Sequence, residues 1–205
     1  MIRKIPAFRL LKEKGRSLRL NDAAERRLLT VAGQPLRDII PVMRDTGLRN
    51  VRELYLMRVE NIDFDAGTIT VADSKTDSGT RSVPLSPRVE EILRARCEGR
   101  VQGWIWQSRY RGKHIGEAMV NRQWVRAREA AGLPNDLKLY CARHDYGSFM
   151  LRKTGNLRLV MDLMGQTDYR SALKYQHHGI EVAREVLKVR HNPRRTPETD
   201  NPANG

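Results

Sequence analysis

The sequence predicts an α+β fold that is mostly helical and contains a small antiparallel β-sheet. Helix-start residues and glycine or proline stops recur along most of the chain, which is typical of successive short helices. In one stretch Ile69 and Val71 alternate with threonines, as expected of a half-buried strand. The chain has 205 residues, which is enough for one domain with a substantial core.

The start of the chain predicts two capped helices. Asp22 and Glu25, three residues apart, resemble a capping box at the start of a helix over AAERRLLTVA, which Gly33 ends. Pro35 begins a second helix, LRDIIPVMRDT, and Gly47 follows its last residue.

A third helix is predicted over residues 51–57, and a β-hairpin follows it. The two strands lie within 62–74 and 80–85, because the turn-forming residues DSG at 77–79 separate them. Lys75 is therefore expected close to the tip of this hairpin.

The rest of the chain predicts mainly helices separated by glycines. Ser86 and Pro87 begin a helix over RVEEILRARC, and GWIWQ at 103–107 is expected to add a short extended piece. The other predicted helices cover residues 117–131, 141–154, 157–164, 168–176 and 180–190.

One folded domain is expected over residues 19–192. Residues 1–18 form a basic N-terminal segment with little hydrophobic pattern. Residues 193–205 are rich in proline, asparagine and charge, so we expect a disordered tail there.

The chain is strongly basic. It has 38 Lys and Arg against 24 Asp and Glu, a formal net charge of +14, and its arginines are spread along the whole length. Such a surface favours a polyanionic partner, with binding that weakens steeply as salt rises. A basic surface that serves only solubility, and an RNA-binding or ribosome-associated protein, are the alternatives that charge leaves open.

The cysteines and apolar runs exclude several classes of protein. Cys97 and Cys141 are far apart and lie outside any cluster with zinc-ligand spacing, so neither a disulfide framework nor a structural metal is indicated. No apolar run approaches the roughly 18 residues that span a bilayer. No signal-peptide core is present either, so we expect a cytoplasmic protein without a membrane partner.

Four residues in short, recognisable contexts carry the chemistry. They are Arg49 in TGLR, Lys75 in SKT, Arg143 in YCARHDYG and Tyr175 in LKYQHH. Two arginines can grip one phosphate through paired N–H donors, a lysine can deliver a proton, and a tyrosine hydroxyl can attack phosphorus. Such a set can break a phosphodiester without a metal or another cofactor.

The order of these motifs resembles that of one known family. The stretch from TGLR to EEIL resembles the first half of a tyrosine recombinase (phage integrase) catalytic domain, and the stretch from AGLP to QHH resembles its second half. Tyr175 follows the MGQ tripeptide by nine residues. The resemblance runs from about Leu20 to about Arg190, and it implies the fold of that catalytic domain.

The resemblance implies a role for each motif residue. Arg49 and Arg143 correspond to the two arginines that clamp the scissile phosphate. Lys75 corresponds to the group that protonates the departing 5′ oxygen. Tyr175 corresponds to the nucleophile, which forms a 3′-phosphotyrosyl link. Glu53 matches an acidic position that supports the arginine and the hydrogen bonds of the active site.

Two of these assignments have rivals. Arg52 competes with Arg49, because NVREL holds one residue more between TGLR and the glutamate than the commonest family pattern. Tyr169 competes with Tyr175, but it lies only three residues after Gln166. We rank Arg49 and Tyr175 first.

The chain departs from the family pattern at two positions of the site. Tyr140 stands three residues before Arg143, where the family usually has histidine, and Gln166 stands where it usually has histidine or tryptophan. Both can donate a hydrogen bond, but glutamine cannot carry charge or exchange a proton. These substitutions imply a reduced activity. One of three nearby histidines, His144, His177 or His178, could supply the missing imidazole, but a structural role for His144 and a polar helix end for the other two are favoured.

The resemblance implies a site-specific recombinase that cleaves and rejoins double-stranded DNA. The family generally works as a tetramer, so a homo-oligomer on DNA or a full-length recombinase is an expected partner. Family members usually carry an N-terminal clamp domain, whereas the catalytic resemblance here begins almost at once. A truncated, impaired remnant that only binds DNA is therefore the alternative, and relaxation of supercoils, as by type IB topoisomerases, is an adjacent outcome.

Overall fold

A computed structural model describes residues 20–71, 80–110 and 112–168 of the chain. The predicted α+β architecture is confirmed, because these residues form α-helices around a small antiparallel sheet. Apart from Asp168, the helices expected over 168–176 and 180–190 fall outside the described residues. None of the helices in this part of the chain has the length and apolar character that crossing a membrane requires.

Three of the predicted helices have the bounds that the sequence indicated. Gly47, Gly155 and Gly165 follow them in the left-handed conformation that ends a helix. In chain order the helices of the described residues are α1 Asp22–Val31, α2 Leu36–Thr46, α3 Pro87–Cys97, α4 Glu117–Ala130, α5 Cys141–Thr154 and α6 Leu157–Met164.

Two local predictions near the start of the chain are wrong. The residue that caps α1 is Asn21 and not Asp22, because the Asn21 Oδ1 accepts a hydrogen bond from the backbone N–H of Ala24 at 2.9 Å. The predicted third helix is a single π-helical turn, Asn50–Leu54, followed by a 3-10 turn over Val59–Asn61.

The sheet has three strands within the described residues, where the sequence predicted two. The strands β1 Ile62–Asp63, β2 Thr68–Val71 and β3 Arg81–Pro84 pair antiparallel in that order. A turn divides the predicted first strand, because the Asp63 Oδ1 accepts hydrogen bonds from the backbone N–H groups of Asp65 and Ala66. The pair Val71 and Arg81 is the last one before residues 72–79, which include Lys75 and lie outside the described residues.

The core lies between α2 and its neighbours, and a smaller cluster lies under α6. Leu36, Ile39 and Met43 of α2 are fully buried, and α2 contacts α5, α3, α1 and α4. The smaller cluster contains Val160 and Met164 of α6. Helix α6 packs on α5 and β3, which places its C-terminal end beside the sheet.

An ion-pair network fixes α5 against the first two helices. Arg44 of α2 forms ion pairs with Asp22, Glu25 and, at 3.0 Å, Asp145 of α5. The Arg44 side chain is 13% exposed. Because α5 begins two residues before Arg143, this network also fixes the segment that carries the second motif arginine.

Candidate active site

The turn after α2 brings its backbone against α5. Gly47 has φ of 64°, and a Cβ placed there would lie 2.3 Å from Cδ1 of Tyr146. Any side chain at this position would therefore collide with the tyrosine ring. The close approach lets the carbonyl of Gly47 accept a hydrogen bond from Nη1 of Arg143.

Arg49 and Glu53 lie at the two ends of the π-helical turn. The backbone N–H of Leu54 donates to the carbonyl of Arg49 at 2.9 Å, five residues back. A π-helical turn contains one residue more than an α-helical turn. It thus accommodates the additional residue that NVREL places between TGLR and the glutamate.

Glu53 consequently still reaches Arg49. Its Oε2 accepts from the backbone N–H of Arg49 at 2.8 Å, and its Oε1 accepts from Nη1 at 2.6 Å. The ion pairs of Glu53 with described residues do not include Arg52, which is exposed on the same turn. The geometry therefore favours Arg49 over Arg52.

Arg143 is almost completely buried in the first turn of α5. It is 1% exposed, whereas the side chain of Arg49 is 31% exposed. Its Nη2 donates to the carbonyl of Met164 at 2.6 Å, and its Nη1 lies 3.8 Å from Oε2 of Glu53. The structure thus brings the two motif arginines together around one carboxylate, with Arg49 on the accessible side.

A third arginine, Arg81 of β3, completes this group. Its Nη2 donates to Oε2 of Glu53 at 2.8 Å, and its side chain is 11% exposed. Sequence analysis did not single out Arg81. The sequence does contain one indication of this position. Residues 81 and 83 lie on the same face of the strand, and alternation predicts that the face with Val83 is buried. Arg49, Arg81 and Arg143 are called the arginine cluster below.

The arginine cluster surrounds the C-terminal end of α6. The last carbonyls of a helix have no partner within the helix, and they form the negative end of its dipole. Three successive carbonyls there, of residues 163, 164 and 165, each accept a hydrogen bond from one arginine. The donors are, in that order, Arg81, Arg143 and Arg49.

Charge is unbalanced in this group, because among the described residues three guanidinium groups surround one carboxylate. Burial by itself would raise the pKa of Glu53, but the hydrogen bond and charge of Arg81, with those of Arg49, lower that pKa below its ordinary value of 4.5. Glu53 is therefore ionised at neutral pH, and the group keeps an excess of positive charge. Such an excess suits an anion with more than one negative charge.

The two unusual site positions border this group. Gln166 directly follows Gly165; its backbone N–H donates to the carbonyl of Met161 at 2.9 Å, and its Oε1 is buried. Tyr140 directly precedes α5, is 37% exposed, and meets the His144 ring edge-on with centroids 5.1 Å apart. His144 is thus placed beside Tyr140.

The other candidate residues lie outside the described residues. They are Lys75, Tyr169, Tyr175, His177 and His178. Among the residues that are described, no three His, Cys, Asp or Glu side chains lie close enough together to hold a metal ion.

The sequence matches a known family over most of its length. Residues 14–181 match the phage integrase family. The chain belongs to this family. The resemblance noted from the motifs is thereby confirmed, and the arginine cluster lies within the matched region.

Relatives within the phage integrase family are similar to this chain over its larger part. The tyrosine recombinase XerC of Xylella fastidiosa (strain M23) is 27% identical over 158 residues, which is 76% of this chain and 52% of that relative. The chain spans about half the length of the curated relatives that it matches.

Solved structures of integrases and recombinases share the fold. The Tn1549 transposon integrase, in complex with a circular intermediate DNA, has a TM-score of 0.71 at 18% identity, covering 88% of this chain and 68% of that one. The XerA recombinase has a TM-score of 0.67 at 22% identity, covering 87% of this chain and 66% of that one. The predicted fold, that of a tyrosine recombinase catalytic domain, is confirmed.

Proposed function

We propose that this chain is the catalytic part of a site-specific DNA recombinase or integrase, which cleaves and rejoins DNA through a 3′-phosphotyrosyl intermediate. The observation that carries this proposal is the position of Arg49 and Arg143, from separate motifs, around Glu53. Family membership and the excess of positive charge in the arginine cluster support it. The relative XerC is named a tyrosine recombinase, and the Tn1549 integrase was solved with DNA.

The two motif arginines serve the scissile phosphate in different ways. Arg49 is partly exposed, so its guanidinium can donate directly to a non-bridging oxygen. Arg143 is buried, where a charge is only weakly screened, so it stabilises the developing negative charge through its field. Cleavage builds about a second negative charge on these oxygens.

The reaction exchanges one phosphodiester for another. The phenol oxygen of Tyr175 forms a bond to phosphorus, and the bond from phosphorus to the 5′ oxygen breaks. Lys75 gives its proton to that oxygen, which leaves as a 5′ hydroxyl, while the phenol proton passes to a base or to water. Attack by a 5′ hydroxyl reverses these steps and rejoins a strand. The phosphotyrosyl bond conserves the energy of the broken one, so no energy source is required.

A suicide substrate tests the proposal. In a duplex nicked close to the cleavage site, cleavage releases the short piece of DNA that carries the new 5′ hydroxyl. This piece diffuses away and cannot rejoin the strand, so the covalent protein-DNA adduct accumulates. The adduct should form with the unaltered chain in EDTA and be absent from Tyr175→Phe, with Tyr169→Phe as the matched control. An adduct that persists in Tyr175→Phe, or is lost in Tyr169→Phe, would contradict the assignment of the nucleophile.

Gln166 motivates one competing function, a DNA-binding remnant without cleavage. Replacing a transition-state donor by a weaker one costs rate, and full loss of a donor costs roughly 10² to 10³. Gln166→His should therefore raise cleavage about tenfold if the chain is an enzyme, whereas Gln102→His, at an exposed position, should not. Binding without cleavage in every variant would favour the remnant.

The partners follow from the proposed reaction. Double-stranded DNA is the substrate, and a homo-oligomer on DNA, such as a tetramer, or a full-length recombinase is the protein partner. The catalytic domain is proposed to cover residues 19–192, and the cytoplasm, where DNA is accessible, is the proposed location.

A further inference from the structure

Arg81 stands where the sheet, the π-helical turn and α6 meet. It belongs to β3, where it pairs with Val71 of β2. From there its Nε donates to the carbonyl of Leu163 at 2.9 Å. Its Nη2 donates to Glu53 at 2.8 Å. One side chain therefore joins three segments of the site.

The end of α6 is shaped around this side chain. Gly165 has φ of 60°, and a Cβ there would lie 2.6 Å from Nη1 of Arg81. The Nη1 atom is buried and forms no hydrogen bond to the described part of the chain. The turn after α6 thus depends on glycine for space as well as for its left-handed conformation. Gln166 directly follows Gly165 in the chain, so the position of the Arg81 side chain also determines the position of Gln166.

Glu53 connects Arg81 to Arg49 through hydrogen bonds. The Oε2 atom of Glu53 accepts from both Arg81 and the backbone N–H of Arg49, at 2.8 Å in each case. Without Arg81, this carboxylate would keep one close guanidinium partner among the described residues, Arg49, with Arg143 at 3.8 Å. It would then be free to rotate toward the accessible guanidinium that the phosphate requires.

We propose that Arg81 is a positioning residue for strand cleavage: it holds Glu53 and the end of α6, and so keeps Arg49 and Gln166 in place for the phosphate. This inference rests on the proposed function. Displacing a catalytic group by about 1 Å can cost about 10²-fold in rate without loss of binding. The side chain of Arg81 is less exposed than that of Arg49, so Arg81 need not contact DNA.

The test compares Arg81→Met and Arg81→Lys with Arg128→Met. Arg128 of α4 is a suitable control because its side chain is 7% exposed, against 11% for Arg81, and its guanidinium donates to Asn135, which lies outside the arginine cluster. Single-turnover cleavage of the suicide duplex, the dissociation constant for an uncleavable duplex and the melting temperature are measured for each variant.

Arg81→Met should cleave about 10- to 100-fold more slowly, with a dissociation constant within about threefold of the unaltered chain. Arg81→Lys keeps a charge beside Glu53 and should recover part of the rate. Arg128→Met should also lose melting temperature but retain its cleavage rate. Cleavage by Arg81→Met at the unaltered rate, or an equal loss of rate in Arg128→Met, would overturn the inference.

A second measurement separates this inference from the proposed function. If the unaltered chain forms no adduct at all, the proposed function fails, and the NMR titration of the Glu53 carboxyl decides about Arg81. Arg81→Met should raise the pKa of Glu53 and shift the amide resonances of residues 163–166, whereas Arg128→Met should do neither. An unchanged titration in Arg81→Met would show that Arg81 does not position Glu53.

Discussion

Glu53 holds Arg49 at two points, because one carboxylate oxygen accepts from the backbone N–H and the other from the guanidinium. The double contact fixes both the start of the π-helical turn and the direction of the arginine side chain. The same carboxylate also balances part of the charge of Arg81 and Arg143. The negative charge of Glu53 is thus required to offset the repulsion between the guanidinium groups of the arginine cluster.

Glu53→Gln should destabilise the domain by about 3 kcal/mol, because it leaves buried guanidinium groups without their counter-charge. Urea denaturation measures the change in the free energy of unfolding. Glu91→Gln, at an exposed position on α3, is the control and should change it by less than about 0.5 kcal/mol. Equal, small effects of the two substitutions would show that Glu53 does not hold the cluster.

The stability of the domain should fall in acid partly through Glu53. The pKa of Glu53 lies below its ordinary value of 4.5 in the folded chain, so the unfolded chain takes up this proton first as pH falls. Its stabilising contribution is complete above pH 4.5 and is lost as pH falls through the folded pKa. The free energy of unfolding, measured from pH 6 downward, should therefore decline less steeply below about pH 4.5 in Glu53→Gln. Identical pH profiles would contradict this.

Gly47→Ala should be much more harmful than Gly155→Ala. Both glycines have φ of 64°, but only at Gly47 would a Cβ meet another group, the Tyr146 ring at 2.3 Å. The left-handed conformation costs each alanine about 1 kcal/mol, and the collision should add about 1 to 3 kcal/mol at Gly47 alone. Thermal unfolding of the two variants measures the difference. Similar losses would mean that the turn after α2 can shift away from α5.

Lys75→Met should slow cleavage about 10²- to 10⁴-fold if Lys75 protonates the leaving oxygen. A substrate with sulfur at the 5′ bridging position should restore the rate, because a thiol has a pKa of about 8.5 and leaves without a proton. Lys113→Met, at an exposed lysine, should behave like the unaltered chain on both substrates. If the cleavage rate of Lys75→Met stays low on the sulfur substrate, Lys75 does not act by protonating the leaving oxygen.

The sequence was sufficient for the helices whose ends carry strong local signals. Proline before α2 and glycines after α2, α5 and α6 act within a few residues, so their positions predict the observed bounds. The motif resemblance likewise placed Arg49, Glu53 and Arg143 in one site, where the structure brings them together.

The π-helical turn and Arg81 could not be predicted in the same way. A run such as VRELYLM has helical propensity, and the wider turn is recognisable only from the double contact that Glu53 makes with Arg49 in the folded chain. Arg81 became part of the site through contacts with residues 28 and 82 positions away. Local sequence patterns carry no information about contacts between residues so far apart in the chain.

The three carbonyls at the end of α6 make the assembly of the arginine cluster depend on completed folding. Their donors come from positions 82, 21 and 116 residues away, so the positive groups assemble only when the strand, the π-helical turn and α5 have all docked. A nascent or partly unfolded copy carries the same net charge, but its guanidinium groups are dispersed along the chain. Only a molecule that has finished folding therefore presents them as one concentrated anion site.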